Sequence, residues 1–530
     1  ESYYPLLAHH WTQAAEAHDA ARNERAIRKA VEYLEKAGEQ AMQNYSNTEA
    51  IQFFSAALEW SAKLPDPEDR SALRQLQLKR ARWHGRLGLA YYGLGLLPDC
   101  NKHVREALKI LGNPIPTTNV QFALGLFPQI IRQVLHRYFP TRYIGSVRGD
   151  AKEIALEVSR LYELMSRIYF YSNETLPIIY IVLQFLNSAE KAGASPELAS
   201  AYSSMGVLAG FAQLHKLAEA YVNRGLAVAK EVNQPSNMIT VGVVTSAYKI
   251  MVGKWTEVRE KVEEAKAICE KLGDYRQWGD CTAMLGENAL ISGDIQYSIA
   301  IQTELLEDAR RRRNPLHQCW GLLGIARNSI RLGDLASAIR MLEEALQILE
   351  ETPNLASSIE TNSQLALAYL RAGDDEKALT YAQKALELSA NISPTVYSMN
   401  LGFAALADTC FGLWEKALHV QPVTDSEQYQ KLAEKAIKPI RAFQGIFPIG
   451  QPVTPYYQGW YEWLTGKQEA ALKSWHKGLQ AAQKYNMPYE EGLIRMKLGS
   501  YDNDEARKNN FERAIQIFEK MGAVNELKLA

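Results

Sequence analysis

Cysteine is scarce in this sequence of 530 residues. Cys100, Cys269, Cys281, Cys319 and Cys410 are scattered, with no close pair of the kind that zinc sites and disulfide frameworks use. That scatter argues against a stapled secreted domain and makes a reducing cytoplasm the expected location. An excess of charge of either sign is missing as well. The chain carries 59 Lys and Arg against 60 Asp and Glu, a formal net charge of −1, which argues against a nucleic-acid binder that works by neutralising phosphate. The longest uncharged stretches, 175–189 and 442–461, are too short or too broken by proline for the roughly 20 apolar residues a membrane span needs, so no stable membrane insertion is expected. The sequence starts at Glu1 without the basic, apolar and cleavage-site succession of a signal peptide, and it reads as a piece of something longer.

Catalytic and cofactor motifs are equally thin. Gly466-Lys467 and Gly253-Lys254 lack the earlier glycine and the following Ser or Thr of a phosphate-binding loop, and the two glycines of GLGLLP, from Gly93, follow no strand. His9 and His10 are adjacent and point to different sides of a helix, and no HExxH is present, so metal-ligand spacing is absent and packing or capping is the expected role. There is no Gly-x-Ser-x-Gly elbow and no cysteine with a catalytic signature around it. Paired carboxylates such as Glu343-Glu344 read as solvated helix faces. We therefore expect no enzyme, no catalytic residue, no cofactor and no metal site.

What the sequence does contain is a repeat. From Ile359 to Ile392 it reads as two amphipathic helices joined by a tight turn, with Ala366 on the first and Ala378 and Ala385 on the second where the helices must touch. Gly373 can end the first helix in a left-handed conformation, and Asp374 or Asp375 can cap the next. Stepping back in forties from Ala366 gives Ala326, Gly286, Ser246, Gly206 and Ser166, all small. The same step from Ala378 gives Ala338, Ser298, Val258, Ala218 and Ile178. A small residue in fixed register marks one position per hairpin where a large side chain would hold two helices apart. The turns repeat too, at Gly293-Asp294, Gly333-Asp334 and Gly373-Asp374.

Such a chain resembles the tetratricopeptide repeat family. The family pattern is met by Ala366, Tyr369, Ala378, Ala382 and Ala385, by Gly88, Tyr91, Cys100, Val104 and Ala107, and by Gly459, Ala471, Trp475 and Gly478. The usual unit is about 34 residues, whereas the middle of this chain repeats at about 40. The resemblance implies an all-α, right-handed α-solenoid of helical hairpins.

Four regions follow from the register. Residues 1–114 hold an N-terminal cap and two repeats. Residues 115–150 break the register with Pro116, Pro128 and Pro140, and they read as a helical insertion, apolar on one face with Arg132, His136 and Arg137 on the other. Such a segment either folds back onto its neighbours or touches a membrane surface or partner. Residues 151–392 hold six repeats, and residues 393–530 hold irregular repeats and a C-terminal cap. The aromatic cluster of Tyr456, Tyr457, Trp460, Tyr461, Trp463 and Trp475 reads as packing between terminal repeats. The basic run from Arg310 to Arg313 reads as the favourable cationic end of a helix.

The segments LAHHW, AVEYLEKAGEQAMQNYSNTEAIQFFSAALE and FERAIQIFEKMGA together resemble the C-terminal helical region of bacterial signal-transduction ATPases, some of which carry a class III nucleotide cyclase or protein kinase domain. That resemblance implies a sensor or scaffold arm joined to an ATPase or effector domain upstream.

In the repeat family the first helix of each pair lines the concave face. Counting from the small residue, the groove is expected to hold Val207 and Phe211, Ala247 and Met251, Glu287 and Ile291, Arg327 and Arg331, and Leu367 and Arg371, an apolar trough with an Arg-rich end. Two positions before the small residue lie Ser204, Val244, Met284, Gly324 and Gln364, the last counted with the groove. None is the Asn that a clamp for peptide carboxylates uses. The leading expectation is a groove for a protein or peptide. The alternatives are an inducer-binding sensor and a self-associating homodimer module.

Overall fold

Local chemistry sets the helix ends. Gly293, Gly333 and Gly373 end their helices in the left-handed region, with φ of 92°, 84° and 84°, and the aspartate after each caps the next helix by accepting from Tyr297 N, Ser337 N and Lys377 N. Of the two candidate caps in the last hairpin, Asp374 is the one used. Proline opens several first helices (Pro196, Pro235 and Pro315), where its missing N–H leaves no bond unmade. Where glycine is missing at the end of a second helix, Asn233 and Arg313 take the left-handed conformation instead.

The structure is a computed structural model and describes residues 3–16, 20–172, 174–390, 392, 394, 396–419, 426–501 and 504–528. Among these residues it holds 26 α-helices, one 3₁₀ turn and no strand. The chain is an all-α solenoid. A capping helix, Tyr4–Glu16, leads into two hairpins, Ala20–Ala62 and Arg70–Ile110. The inserted helix, Asn119–Tyr138, follows. Six hairpins then run from Asp150 to Ser389, with first helices Asp150–Tyr171, Pro196–Phe211, Pro235–Met251, Tyr275–Ser292, Pro315–Leu332 and Leu355–Ala372. A longer hairpin (Met399–His419 and Ser426–Gln444) and two more (Val453–Lys484 and Pro488–Met521) complete it.

Every rung of both small-residue ladders is buried. Gly206 illustrates the reason. A Cβ there would stand 2.8 Å from Val222 Cγ2 and 3.2 Å from the Ala218 carbonyl oxygen, so the two helices of this hairpin touch across a single hydrogen atom. The aromatic cluster is core: Tyr456, Tyr457, Trp460 and Trp475 are buried, and Trp460 and Tyr457 stack on Phe411 of the preceding hairpin.

Successive turns of the superhelix touch. Tyr45 lies against Gly273, Tyr92 Oη is 3.4 Å from Asp280 Oδ2, and Gly95 sits beneath the Asn314 side chain. Further along, Phe211 meets Phe447 edge-on, Trp255 Nε1 donates to the Tyr485 carbonyl at 2.6 Å, and Gly293 lies against Pro488. These contacts roof the concave face, so the groove expected from the register becomes an interior.

Candidate functional site

Two connected spaces occupy that interior. The outer one, about 1020 Å³, is bounded by the turn after Gln43, by the helix Arg70–Gly93, and by the first turns of helices starting at Pro196, Pro235 and Tyr275. Its walls are polar and mostly paired within the chain: Arg160 bridges Glu157 at 3.0 Å and Glu197 at 2.8 Å, and Arg312 bridges Asp308 at 3.0 Å. Tyr92, Glu163, Arg167, Thr240 and Gln277 belong to both spaces and form the passage inward. The inner cavity, about 210 Å³, is lined by apolar side chains such as Val207, Val244, Met284, Trp320 and Leu323.

Two buried charge clusters flank the inner cavity. At its mouth, His317 Nε2 lies 3.0 Å from Arg276 Nη1 and 3.1 Å from Asp280 Oδ1. Burial, reinforced by the Arg276 charge, depresses the His317 pKa, while its contact with Asp280 pulls the other way. Burial opposes ionisation of Asp280, yet Arg276 and His317 hold its carboxyl below the usual range. At the far wall, Arg327 lies between Glu360, 2.5 Å from Nη1, and Glu287, 3.3 Å from Nη2. Burial pushes the Glu360 carboxyl up to about 7 and raises Glu287 as well, with the Arg327 charge pulling both the other way.

Five of the residues expected in the groove meet here: Val207, Phe211, Ala247, Glu287 and Arg327. Arg331, Gln364 and Arg371 lie apart, around a cleft of about 60 Å³ closed by the last hairpins. Met251 and Ile291 face no cavity; each is about 1 % exposed and packs in the main core. The Arg-rich end is not a row of free cations. Arg327 is 4 % exposed and paired as above, Arg331 donates to the Leu290 carbonyl and lies 3.7 Å from the Tyr489 ring centre, and Arg371 bridges Glu526 at 2.8 Å. Reversing the charge of any of the three would therefore break a contact within the chain: Glu287 and Glu360 hold Arg327, while the last hairpin supplies Tyr489 against Arg331 and the short helix Val524–Leu527 supplies Glu526 against Arg371.

The register held a further signal that counting from the groove missed. Six positions before each small residue stand Arg160, Ser200, Thr240, Asp280, Trp320 and Glu360, and nine before stand Glu197, Asn237, Gln277, His317 and Ser357. All of them line one space or the other. Apart from Arg160, both series sit in the first two turns of the first helices, two to three turns nearer the helix N-termini than the position just after the small residue.

No group of three or more His, Cys, Asp or Glu among the described residues is placed to hold a metal ion. His9 and His10 are exposed, and all five cysteines are buried free thiols.

The hairpins form a solenoid, and residues 318–391 match the tetratricopeptide repeat family model. Among solved structures the chain is similar to a Rap protein complexed with competence and sporulation factor, at 11 % identity over 84 % of this chain and 99 % of that one, with a TM-score of 0.45. A signal-transduction ATPase with a tetratricopeptide repeat sensor from Pyrococcus horikoshii is similar at 13 % identity over 85 % of this chain and 65 % of that one, with a TM-score of 0.44. Yeast Tom70 is similar at 12 % identity over 89 % and 97 %, with a TM-score of 0.37. Likenesses this distant carry nothing about ligand or partner.

Proposed function

We propose that this chain is a non-enzymatic sensor arm that takes a peptide segment into its interior, with an apolar side chain of that segment in the inner cavity. The observation that carries the reading is the nested pair of spaces: a polar outer chamber wide enough for an extended backbone opens onto an apolar pocket of about 210 Å³. Drug-sized ligands fill roughly 300–1,000 Å³, so the inner pocket suits a single side chain rather than a whole inducer. The buried charges around the pocket are paired with one another, Arg327 with Glu287 and Glu360 and Arg276 with Asp280, which favours apolar contact as the recognition there. The sequence resemblance to signal-transduction ATPases supports placing the arm downstream of an ATPase or effector domain. A phosphate-binding loop encoded ahead of Glu1 would bear that out, and an unrelated upstream sequence would refute it.

The test is selection of a random heptapeptide library on the immobilised chain, alongside the Val244→Trp variant, whose indole fills the inner cavity. Recovered peptides should share one bulky apolar residue and bind V244W at least tenfold more weakly, with the thermal midpoint of V244W recorded to separate pocket from fold. No enrichment, or equal binding to a folded V244W, would overturn the proposal. Saturable binding of a non-peptide metabolite in the same cavity would favour the inducer reading.

A further inference from the structure

The inserted helix Asn119–Tyr138 is amphipathic in the reverse sense. Gln129, Gln133 and His136 face the protein: Gln133 Nε2 donates to Glu190 Oε2 at 2.6 Å and to Asn187 Oδ1 at 3.0 Å, Asn187 Nδ2 donates to Gln129 Oε1 at 2.9 Å, and His136 Nδ1 lies 2.7 Å from Glu190 Oε2, while Phe122 packs inward near the start, against Tyr169 and Tyr180. An apolar stripe of the helix faces outward at helical spacing: Val120, Leu124, Phe127, Ile131, Leu135 and Tyr138. Leu124, Phe127 and Tyr138 are 72 %, 70 % and 76 % exposed. Of the nineteen large apolar side chains exposed among the described residues, nine fall between Val120 and Phe139, so the patch is no scatter of ordinary surface leucines. A helix seeking only to join the core would turn the other way.

The surroundings of this stripe identify what covers it. No Asp or Glu occurs between Glu106 and Asp150, while Arg132, Arg137, Arg142 and Arg148 do, and none of the four makes an ion pair among the described residues. The stripe carries no hydrogen-bonding group before the Tyr138 hydroxyl, whereas a protein interface needs roughly one hydrogen bond per 100–200 Å². Aromatic rings stand near its middle and its end, at Phe127, Tyr138 and Phe139. The apolar surface continues into a trough of about 440 Å³ between Ile130 and Val134 on one side and Leu183, Leu208 and Leu214 on the other. An apolar face with aromatic residues and a cationic, acid-free border matches an anionic bilayer surface. No helix among the described residues is long and apolar enough to cross a membrane, so the contact is interfacial.

We propose that the helix Asn119–Tyr138 docks the solenoid flat onto anionic lipid. The test is flotation of the full chain with phosphatidylcholine vesicles, with or without about 30 % phosphatidylserine. The chain should float with the anionic vesicles, and raising salt from about 0.05 M to about 0.5 M should weaken that binding. Leu124→Glu with Phe127→Glu, both on the exposed face, should reduce it at least tenfold while leaving the circular dichroism unchanged. Arg142→Glu with Arg148→Glu should abolish the preference for anionic lipid, and the emission of a Phe127→Trp variant should shift to the blue on vesicle binding. Failure to float with either vesicle, or flotation unchanged in L124E/F127E, would overturn the proposal, and a preference surviving R142E/R148E would overturn the choice of an anionic surface. A dimer in sedimentation velocity that L124E/F127E dissociates would assign the stripe to a second copy instead.

Discussion

Removing the cation from the Glu287–Arg327–Glu360 cluster gives the sharpest test of how the interior is built. Arg327→Met keeps much of the side-chain volume and deletes a charge that contacts two carboxylates in a nearly dry wall. Breaking a buried pair from one side costs about 3–5 kcal/mol, because the remaining charge is left desolvated and unpaired. Here two acids are left together. The folded-state pKa of Glu360 already stands at about 7 against an ordinary value of 4.5, with burial the first cause and the neighbouring Glu287 adding to it; Arg327 opposes both. Without Arg327 it rises further.

The sign of the pH effect follows from that. A carboxyl whose folded pKa exceeds its unfolded value binds its proton more tightly when folded, so stability is greatest at low pH and falls as pH rises between the two values. The loss in R327M is therefore smallest near pH 5 and largest near pH 8. Stability in a repeat array is a sum of units and their interfaces, so a local probe resolves this loss better than one midpoint for the whole chain. Amide hydrogen exchange over Pro315–Leu332 and Leu355–Ala372 reads the local opening directly. At pH 8 those helices should exchange about 150- to 5000-fold faster in R327M than in the parent, the equivalent of the 3–5 kcal/mol above. The triple variant E287Q/R327M/E360Q, which leaves no charge behind, should recover most of the protection. A loss below about 1 kcal/mol, or one of equal size at both pH values, would mean that the cluster is not desolvated and that the groove stands open.

Other sites make independent predictions. Gly206→Ala should destabilise its hairpin by about 1–3 kcal/mol through overpacking against Val222 and the Ala218 carbonyl, whereas Gly242→Ala, with nothing within 4 Å of its Cβ, should stabilise by about 0.5–1 kcal/mol; urea titration of both variants gives the comparison. Arg313→Gly, relieving a left-handed non-glycine residue at φ 54°, should stabilise by about 1 kcal/mol, read as a higher thermal midpoint, unless the lost cation at this helix end cancels it. Glu490 is buried with Oε2 unpartnered, and burial holds its pKa near 7 against the pull of Arg331. Glu490→Gln should therefore raise the thermal midpoint at pH 8 and flatten the decline between about pH 4.5 and pH 7, and an unchanged pH profile would show that this carboxyl is hydrated.

The hairpins were legible in the sequence because their determinants are local. Ala366 with Ala378, or Gly373 with Asp374, act within one unit, and a fixed period repeats the same signal along the chain. What was not legible depends on contacts far apart in sequence. Whether Arg327 and Arg371 face solvent or a carboxylate is decided by Glu360 one repeat away and by Glu526 at the far end, and nothing in either arginine's own neighbourhood records it. The insertion was legible in part. Its two faces were visible, with Arg132, His136 and Arg137 on one of them, but periodicity does not say which face meets the protein: Glu190 draws His136 inward and leaves the apolar stripe outside. A buried acid on a neighbouring helix was the deciding partner.

The closure of the solenoid changes what binding can do. Tyr45 to Gly273, Phe211 to Phe447 and Trp255 to Tyr485 are each about 230 positions apart, between five and six repeats, so every turn rests on the one before it. The inner cavity takes its walls from both sides of such a contact, from Tyr92 in the second hairpin to Tyr397 beyond the eighth. An occupant of that cavity therefore touches residues whose separation is the pitch of the superhelix. A ligand shifts a conformational equilibrium only by its difference in affinity for the two states. A segment wedged between Tyr92 and Trp320 has such a difference built in, because those walls part when the turns part. In an open solenoid the same ligand would grip one or two neighbouring repeats and leave the pitch alone. Here occupancy and pitch are coupled by geometry.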